Sequence, residues 1–252
     1  MKTVLITGCS SGFGLETAKH FLNRGWQVVA TMRVPREDPL PRSEHLRVLA
    51  LDVTDSESIR LAVQAAGPID VLVNNAGIGT LNALEGTATD TVREVFEANT
   101  FGTMAMTRAV LPQFRERKAG VIINITSSAT LTPLPLLSVY TASKAAINAF
   151  TESLALELQP FNVRVSLILP GRAPETRFGE NARSRMGSIP DAYVDLAQRT
   201  FEGWAQSADV TYAADVAQAV WRAANDPASP TRLPAGADAM ALAASVGQSA
   251  LT

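Results

Sequence analysis

The chain has 252 residues, 46% hydrophobic and 18% charged, with 22 Lys and Arg against 24 Asp and Glu and a formal net charge of −2. That composition is globular, the length suits one α/β domain, and the slightly negative charge argues against a nucleic-acid-binding face. The lone Cys9 excludes an intramolecular disulfide framework and a cysteine-rich zinc site; with only His20 and His45 besides, no metal site is expected.

The chain opens with a strand, Thr3–Thr7, that runs into a glycine turn; it lacks the basic start, apolar stretch and cleavage site of a secretory leader. The turn Thr7-Gly8-Cys9-Ser10-Ser11-Gly12-Phe13-Gly14 leads into a helix predicted over Gly14–Arg24 and closed by Gly25. Glycines let backbone approach a pyrophosphate with no Cβ in the way. A helix N-terminus adds free N–H groups and the positive end of a dipole. The spacing is Gly-x-x-x-Gly-x-Gly rather than the usual Gly-x-Gly-x-x-Gly, so its weight comes from the strand before and the helix after. Gly8, Ser10, Ser11, Gly12, Phe13 and Gly14 are therefore candidates to surround a dinucleotide phosphate. Cys9 and His20 read as an ordinary turn residue and an ordinary helix residue.

The second strand, Gln27–Thr31, ends in Met32-Arg33, and no carboxylate follows before Glu37. An NAD site usually places a carboxylate there for the ribose hydroxyls. Arg33 instead offers a guanidinium fork for a 2′-phosphate, which favours NADP(H) over NAD(H). The plain alternative is a solvated loop cation. A third strand follows at Arg47–Leu51, then Asp55 as the cap of a helix over Ser56–Ala65 and a fourth strand at Val71–Asn74.

A long helix is predicted over Thr91–Arg117, with Asn99 inside it against its propensity. The fifth strand, Val121–Thr126, delivers Ser127, whose hydroxyl can bond a carbonyl oxygen. The helix Val139–Leu158, stopped by Pro160, carries Tyr140 and Lys144 one turn apart on one face. A neighbouring cation stabilises a phenolate, so such a pair can move a proton near neutrality. A sixth strand, Val163–Leu169, precedes the polar, strandless stretch Arg172–Trp204, read as a lid at the carboxyl edge of the sheet. A helix over Ala213–Asn225 and a weak strand at Thr231–Pro234 follow, and the Ala-rich tail Ala237–Leu251 reads as a surface helix or frayed end. No apolar run approaches the ~20 residues of a membrane span, and a cytoplasmic location is expected. Short apolar strands alternating with helices predict a doubly wound parallel α/β sheet of about seven strands within a single domain, 1–252, whose lid spans 172–204.

Thr7-Gly8…Gly12…Gly14, Asn74-Asn75-Ala76-Gly77, Asn99, Ser127, Tyr140…Lys144 and Pro170-Gly171 occur in this order. Together they make the chain resemble the single-domain short-chain dehydrogenase/reductase family over essentially its whole length. The opening turn and Ala30-Thr31-Met32-Arg33 are most similar to hydroxysteroid and retinol dehydrogenases and bacterial ketoreductases. The resemblance implies a Rossmann fold and hydride transfer between a nicotinamide and a carbonyl carbon. It implies that Tyr140 handles the proton, Ser127 orients the carbonyl, Lys144 holds the ribose and depresses the Tyr140 pKa, and Asn99 relays protons through a water held by its amide. Asp52 and Val53 would line the adenine, and Asn75, Ala76 and Gly77 would border the cofactor.

After Pro170-Gly171 the run is Arg172-Ala173-Pro174-Glu175-Thr176, displaced from the family pattern of an apolar residue and a threonine. Thr176 is the candidate for the carboxamide contact. The loop Leu131–Leu137 carries four leucines and no charge, and with Phe178 and Met186 it suits a bulky apolar ketone or secondary alcohol. The opposing reading packs these leucines beneath the lid. Arg172 and Arg177 are the candidate anchors for an acidic substrate. An NAD-dependent alcohol or steroid dehydrogenase and an NADP-binding redox-sensing regulator are the alternatives. In relatives the Thr91–Arg117 and Val139–Leu158 helices form a dimer face, leaving homodimer and homotetramer both open.

Overall fold

The β-branched runs become seven strands: β1 (Thr3–Ile6), β2 (Gln27–Met32), β3 (Leu46–Ala50), β4 (Val71–Asn74), β5 (Gly120–Ile125), β6 (Val163–Pro170) and β7 (Arg232–Ala235). In the computed structural model, which describes residues 1–36 and 38–249, they form one sheet in the order β3-β2-β1-β4-β5-β6-β7. Each neighbouring pair is parallel. The strand order reverses between β1 and β4. That switch point opens a crevice at the carboxyl edge, where doubly wound sheets of the Rossmann type take their ligands.

The helices are α1 (Gly12–Leu22), α2 (Ser56–Ala66), α3 (Thr89–Phe96), α4 (Gly102–Arg117), α5 (Ser138–Leu158), α6 (Phe178–Arg183), α7 (Val194–Gln206), α8 (Ala213–Asn225) and α9 (Ala237–Ser249). Strand residues alternate between two cores. Val4, Ile6, Val28 and Ala30 face α1 and α8, packing with Phe21, Val216 and Val220. Leu5, Val29, Leu72 and Ile122 face α2, α4 and α5, packing with Ile59, Val110, Phe114 and Leu154. Burial on both faces explains why the inner strands read as continuous apolar runs. β3, at the edge, keeps an exposed side.

Local chemistry sets several helix ends. Gly25, at φ +75°, donates its N–H to the Leu22 carbonyl at 3.0 Å just past α1. Asp55 caps α2 by accepting from the N–H groups of Glu57 and Ser58 at 2.8 and 3.3 Å.

The predicted continuous helix over Thr91–Arg117 is a correction. It is split into α3 and α4 by a π turn at Glu97–Phe101. The Asn99 and Thr100 side chains in that turn bond to neighbouring segments, which offsets the local departure from α geometry. The stretch Arg172–Trp204 has no strand, as expected, but it carries two helices, α6 and most of α7. The predicted tail helix is α9; Leu251, the end of that prediction, and Glu37 lie outside the described residues. Among the described residues no helix is long and apolar enough to cross a membrane.

Candidate active site

The β1–α1 turn sits at the switch point, against the chain that leaves β4. Gly8 and Gly12 have φ values of +75° and +57°. A Cβ on Gly8 would stand 2.9 Å from the Ala76 Cα, and one on Gly14 would run into the Gly8 carbonyl oxygen. Backbone packing therefore requires glycine at both places. Thr7 and Asn75 hold the turn shut from below. Thr7 Oγ1 accepts the N–H groups of Asn75 and Ala76, both at 2.9 Å. Asn75 Nδ2 donates to the carbonyls of Thr7 and Gly8 at 2.9 and 3.0 Å. Asn75 is thus a clamp on the turn as well as a wall of the crevice.

Ser11 occupies the N-cap position of α1, yet its side chain caps nothing, and the first turn carries no acidic residue. The first N–H groups of a helix need acceptors, and an anion supplies them. The capped α2 and the uncapped α1 differ in this respect. Phe13 is half-buried and packs against the core on the α1 and α8 side of the sheet.

Arg33 is exposed just beyond β2. It shares its space with Asp52, whose carboxyl is held below the usual range. The Thr54 N–H at 2.9 Å is the main cause, with smaller contributions from the Thr54 hydroxyl at 2.7 Å and the Arg33 charge. Val53 packs on the start of α4, where a Cβ on Gly102 would lie 2.8 Å from Val53 Cγ2.

α5 brings Tyr140, Ser143 and Lys144 beside the ends of β4 and β5. All three side chains are buried. The Tyr140 phenol hydrogen-bonds with Ser127, which follows β5 and also accepts the Ala129 N–H at 3.1 Å. Lys144 Nζ donates to the Ile125 carbonyl at 2.9 Å. Gly77 leaves room beside it: a Cβ there would be 3.0 Å from Asn99 Oδ1 and 3.3 Å from Lys144 Nζ.

One expectation is corrected at this cluster. The lysine charge does not dominate the tyrosine. Burial pushes the Tyr140 phenol up to about 12, and the Ser127 hydrogen bond opposes it. Burial likewise pulls Lys144 down to about 8. In a closed site the loss of water penalises the charged form of each group. The Asn99 amide is held by the protein itself. Its Oδ1 accepts from the Ile78 N–H at 2.8 Å, and its Nδ2 donates to the Ile78 carbonyl at 2.8 Å and to Ser143 Oγ at 3.0 Å. Asn99 therefore stitches the π turn to α5 and to the chain after β4.

Sequence reading missed the support beneath this cluster. Asn74 and Asn124 face each other in register on β4 and β5. Asn74 Nδ2 donates to Asn124 Oδ1 at 2.9 Å and to Thr107 on α4 at 3.1 Å; Asn124 Nδ2 reaches Thr151 on α5 at 2.8 Å. The available signal was an asparagine in each of two adjacent strands predicted to be fully buried, where a polar side chain needs a partner.

Over the cluster lies the segment after β6. Its Phe178 ring is 5.5 Å from the Tyr140 ring, tilted by 59°. Phe178 also fills the space over Gly79, where a Cβ would be 2.7 Å from its Cζ. Thr176 lies against Gly12 rather than free in the crevice: a Cβ on Gly12 would be 3.5 Å from its Cβ and Cγ2, and its hydroxyl donates to the Ala173 carbonyl at 2.8 Å. Glu175, unexpected in sequence, accepts the Ala213 N–H at 2.9 Å and so caps α8. The arginines considered as anchors are engaged. Arg172 donates to the Ser207 carbonyl at 2.7 Å, and Arg177 pairs with Glu180 at 3.7 Å.

The leucine loop divides. Leu136 is buried with Ala83 and Ala197 beneath α7, at a φ of +63° that is rare for a branched residue. Leu131 packs with Ile147 and Leu169. Leu134 and Leu137 stay partly exposed.

Known proteins resemble this chain in sequence and in fold. A family model described as short chain dehydrogenase matches residues 2–187. The 3-ketodihydrosphingosine reductase of Bacteroides thetaiotaomicron is 42% identical over 204 residues, 79% of this chain and 74% of that one. Human retinol dehydrogenase 8 is 41% identical over 181 residues, 68% of this chain and 58% of its own length. The closed form of a serine dehydrogenase complexed with NADP+ superposes with a TM-score of 0.79 at 31% identity, covering 94% of this chain and 95% of that one.

Proposed function

The chain belongs to the short-chain dehydrogenase family, and from that premise we propose that it is a cytoplasmic NADPH-dependent carbonyl reductase for a bulky, apolar ketone, or for the matching secondary alcohol in reverse. The carrying observation is the buried Tyr140–Ser127 pair with Lys144 beside it, next to a helix N-terminus left uncapped. The residues fit a dinucleotide. The glycine cradle would be filled by any Cβ, and the open N–H groups of α1 lack an internal anionic cap. Gly8, Ser10, Ser11, Gly12 and Gly14 would hold the diphosphate, with Asn75, Ala76, Gly77, Pro170, Gly171 and Thr176 along the crevice. Arg33, with Asp52 and Val53 nearby, would take the adenosine end, and its guanidinium supports a 2′-phosphate.

A bound nicotinamide supplies or accepts the hydride. The protein manages the proton and the geometry. Tyr140, held neutral by burial, is set up as an acid that gives its proton to the ketone oxygen. Ser127 orients that oxygen. Lys144, still mainly protonated at neutral pH, anchors the ribose and offers charge to the phenolate that forms.

Substrate class follows from the surroundings. Phe178, Leu134, Leu137 and Met186 offer apolar surface, while Arg172 and Arg177 are occupied, which disfavours an acidic substrate. Residues 172–204 act as the lid of a single catalytic domain. A face of α4 and α5 serves a homodimer or homotetramer; Leu156 on α5 is exposed there.

The test is initial rates of NADPH and NADH consumption with a panel of bulky apolar ketones, run beside Tyr140→Phe. NADPH should be preferred. The substitution should lower kcat by about 10²- to 10⁴-fold, the usual worth of a general acid, and leave NADPH binding intact. Retained turnover in the variant would remove Tyr140 from the chemistry.

A further inference from the structure

The lid segment is fastened at its base by residues outside the motifs. Its two ends meet: the Thr211 N–H donates to the Arg172 carbonyl at 2.8 Å, and the Gly171 N–H donates to Thr211 Oγ1 at 2.9 Å. The Thr211 hydroxyl, fully buried, stands 2.7 Å from Asp238 Oδ1 and 2.9 Å from the Ala235 carbonyl. Asp238, in the first turn of α9, accepts the Arg172 N–H at 2.6 Å and the Ala239 N–H at 2.9 Å. The fit is tight. A Cβ on Gly171 would overlap the Asp238 carboxylate, and one on Gly236, at φ +97°, would overlap Thr211.

We propose that Thr211 and Asp238 are positioning residues: they clasp both ends of segment 172–210 to β7 and α9 and thereby set where Phe178 stands over Tyr140. The proposal rests on the dehydrogenase reading for its consequence, not for its geometry. The Asp238 carboxylate meets an obligatory donor on each oxygen, the Arg172 N–H on Oδ2 and the Ala239 N–H on Oδ1. Asparagine is isosteric, but its amide presents a donor to one of these donors in either orientation, so the substitution breaks the clasp without changing its shape. Valine at 211 removes the hydroxyl at constant shape, and serine restores it.

The experiment compares Thr211→Val, Thr211→Ser and Asp238→Asn in the full chain. Three readouts are taken: ketone KM and kcat with NADPH, NADPH affinity by tryptophan fluorescence, and the rate of trypsin cleavage at the exposed lid arginines Arg177 and Arg183. Loss of buried hydrogen bonds should raise the ketone KM about tenfold in Thr211→Val and Asp238→Asn. Lid cleavage should quicken in both, NADPH affinity should hold, and Thr211→Ser should match the parent in all three. Unchanged KM and cleavage in well-folded variants would overturn the proposal. So would unfolding of all three variants, serine included, since that marks a folding element. If no ketone turns over even in the parent, the dehydrogenase reading fails, while the cleavage rates still decide the clasp.

Discussion

The floor of the site and its roof are held in different ways. In the floor, Thr7, Gly8 and Asn75 bond to main chain that β1 and β4 already hold in register, and the glycines leave backbone in contact with backbone. In the roof, segment 172–210 is clasped at its base and otherwise rests on side chains: Phe178 on Tyr140, Thr176 on Gly12, Ala197 on Leu136. Backbone contacts tolerate no substitution that adds a Cβ. Side-chain contacts tolerate many of similar size. The floor therefore reads as a motif, and the roof as an ordinary polar stretch.

The sharpest way to break this contrast is Gly14→Ala. The added methyl meets the Gly8 carbonyl and the Asn75 amide. Overpacking of that kind costs about 3 kcal/mol, a drop of roughly 6–12 °C in melting temperature, and NADPH binding should vanish with it. A stable, binding-competent alanine variant would show that the turn can yield.

Arg33→Asp probes the floor's exposed end. Losing charged hydrogen bonds of about 1.5–3 kcal/mol should move the NADPH-to-NADH preference by ten- to a hundredfold, read as the ratio of kcat/KM values. No shift would leave Arg33 a solvated loop cation.

A pH series separates chemistry from folding. Lys144 is depressed to about 8, so its cation is present below that pH and lost above it, and turnover should fall several-fold as pH rises through about 8. Stability should move the other way. The folded state releases this proton before the unfolded chain does, so the lysine destabilises least once both have lost it. Between about pH 8 and 10 the melting temperature should gain relative to Lys144→Met. Parallel curves for the two proteins would remove the burial effect.

The smallest effect is expected in the roof. Glu175→Ala removes the cap from α8 and should cost about 1 kcal/mol, or 2–4 °C, with kcat/KM nearly unchanged.

Much of this molecule was legible in advance. The seven parallel strands followed from apolar runs, and Asp55 and Gly25 marked helix ends, because these signals act over a few residues. Tyr140 and Lys144 were placed on one helix face by spacing alone. The π turn at Asn99 was not legible, since it depends on bonds to Ile78 and Ser143, which are 21 and 44 residues away. Nor was the direction of the Tyr140 and Lys144 shifts, because proximity of charge is visible in a sequence and loss of water is not. Glu175 looked like a defect in the pattern until Ala213 was found beside it.

The sequence by itself determined the sheet, the glycine cradle and the shared helix face of Tyr140 and Lys144. All three rest on local rules: period, turn geometry and helix spacing. Tertiary structure decided which way burial moves the acid and the lysine, which arginines are already occupied, and how Thr211 and Asp238 tie down the lid. Those outcomes depend on atoms brought together from distant parts of the chain, where desolvation and hydrogen-bond partners are set only by the completed packing.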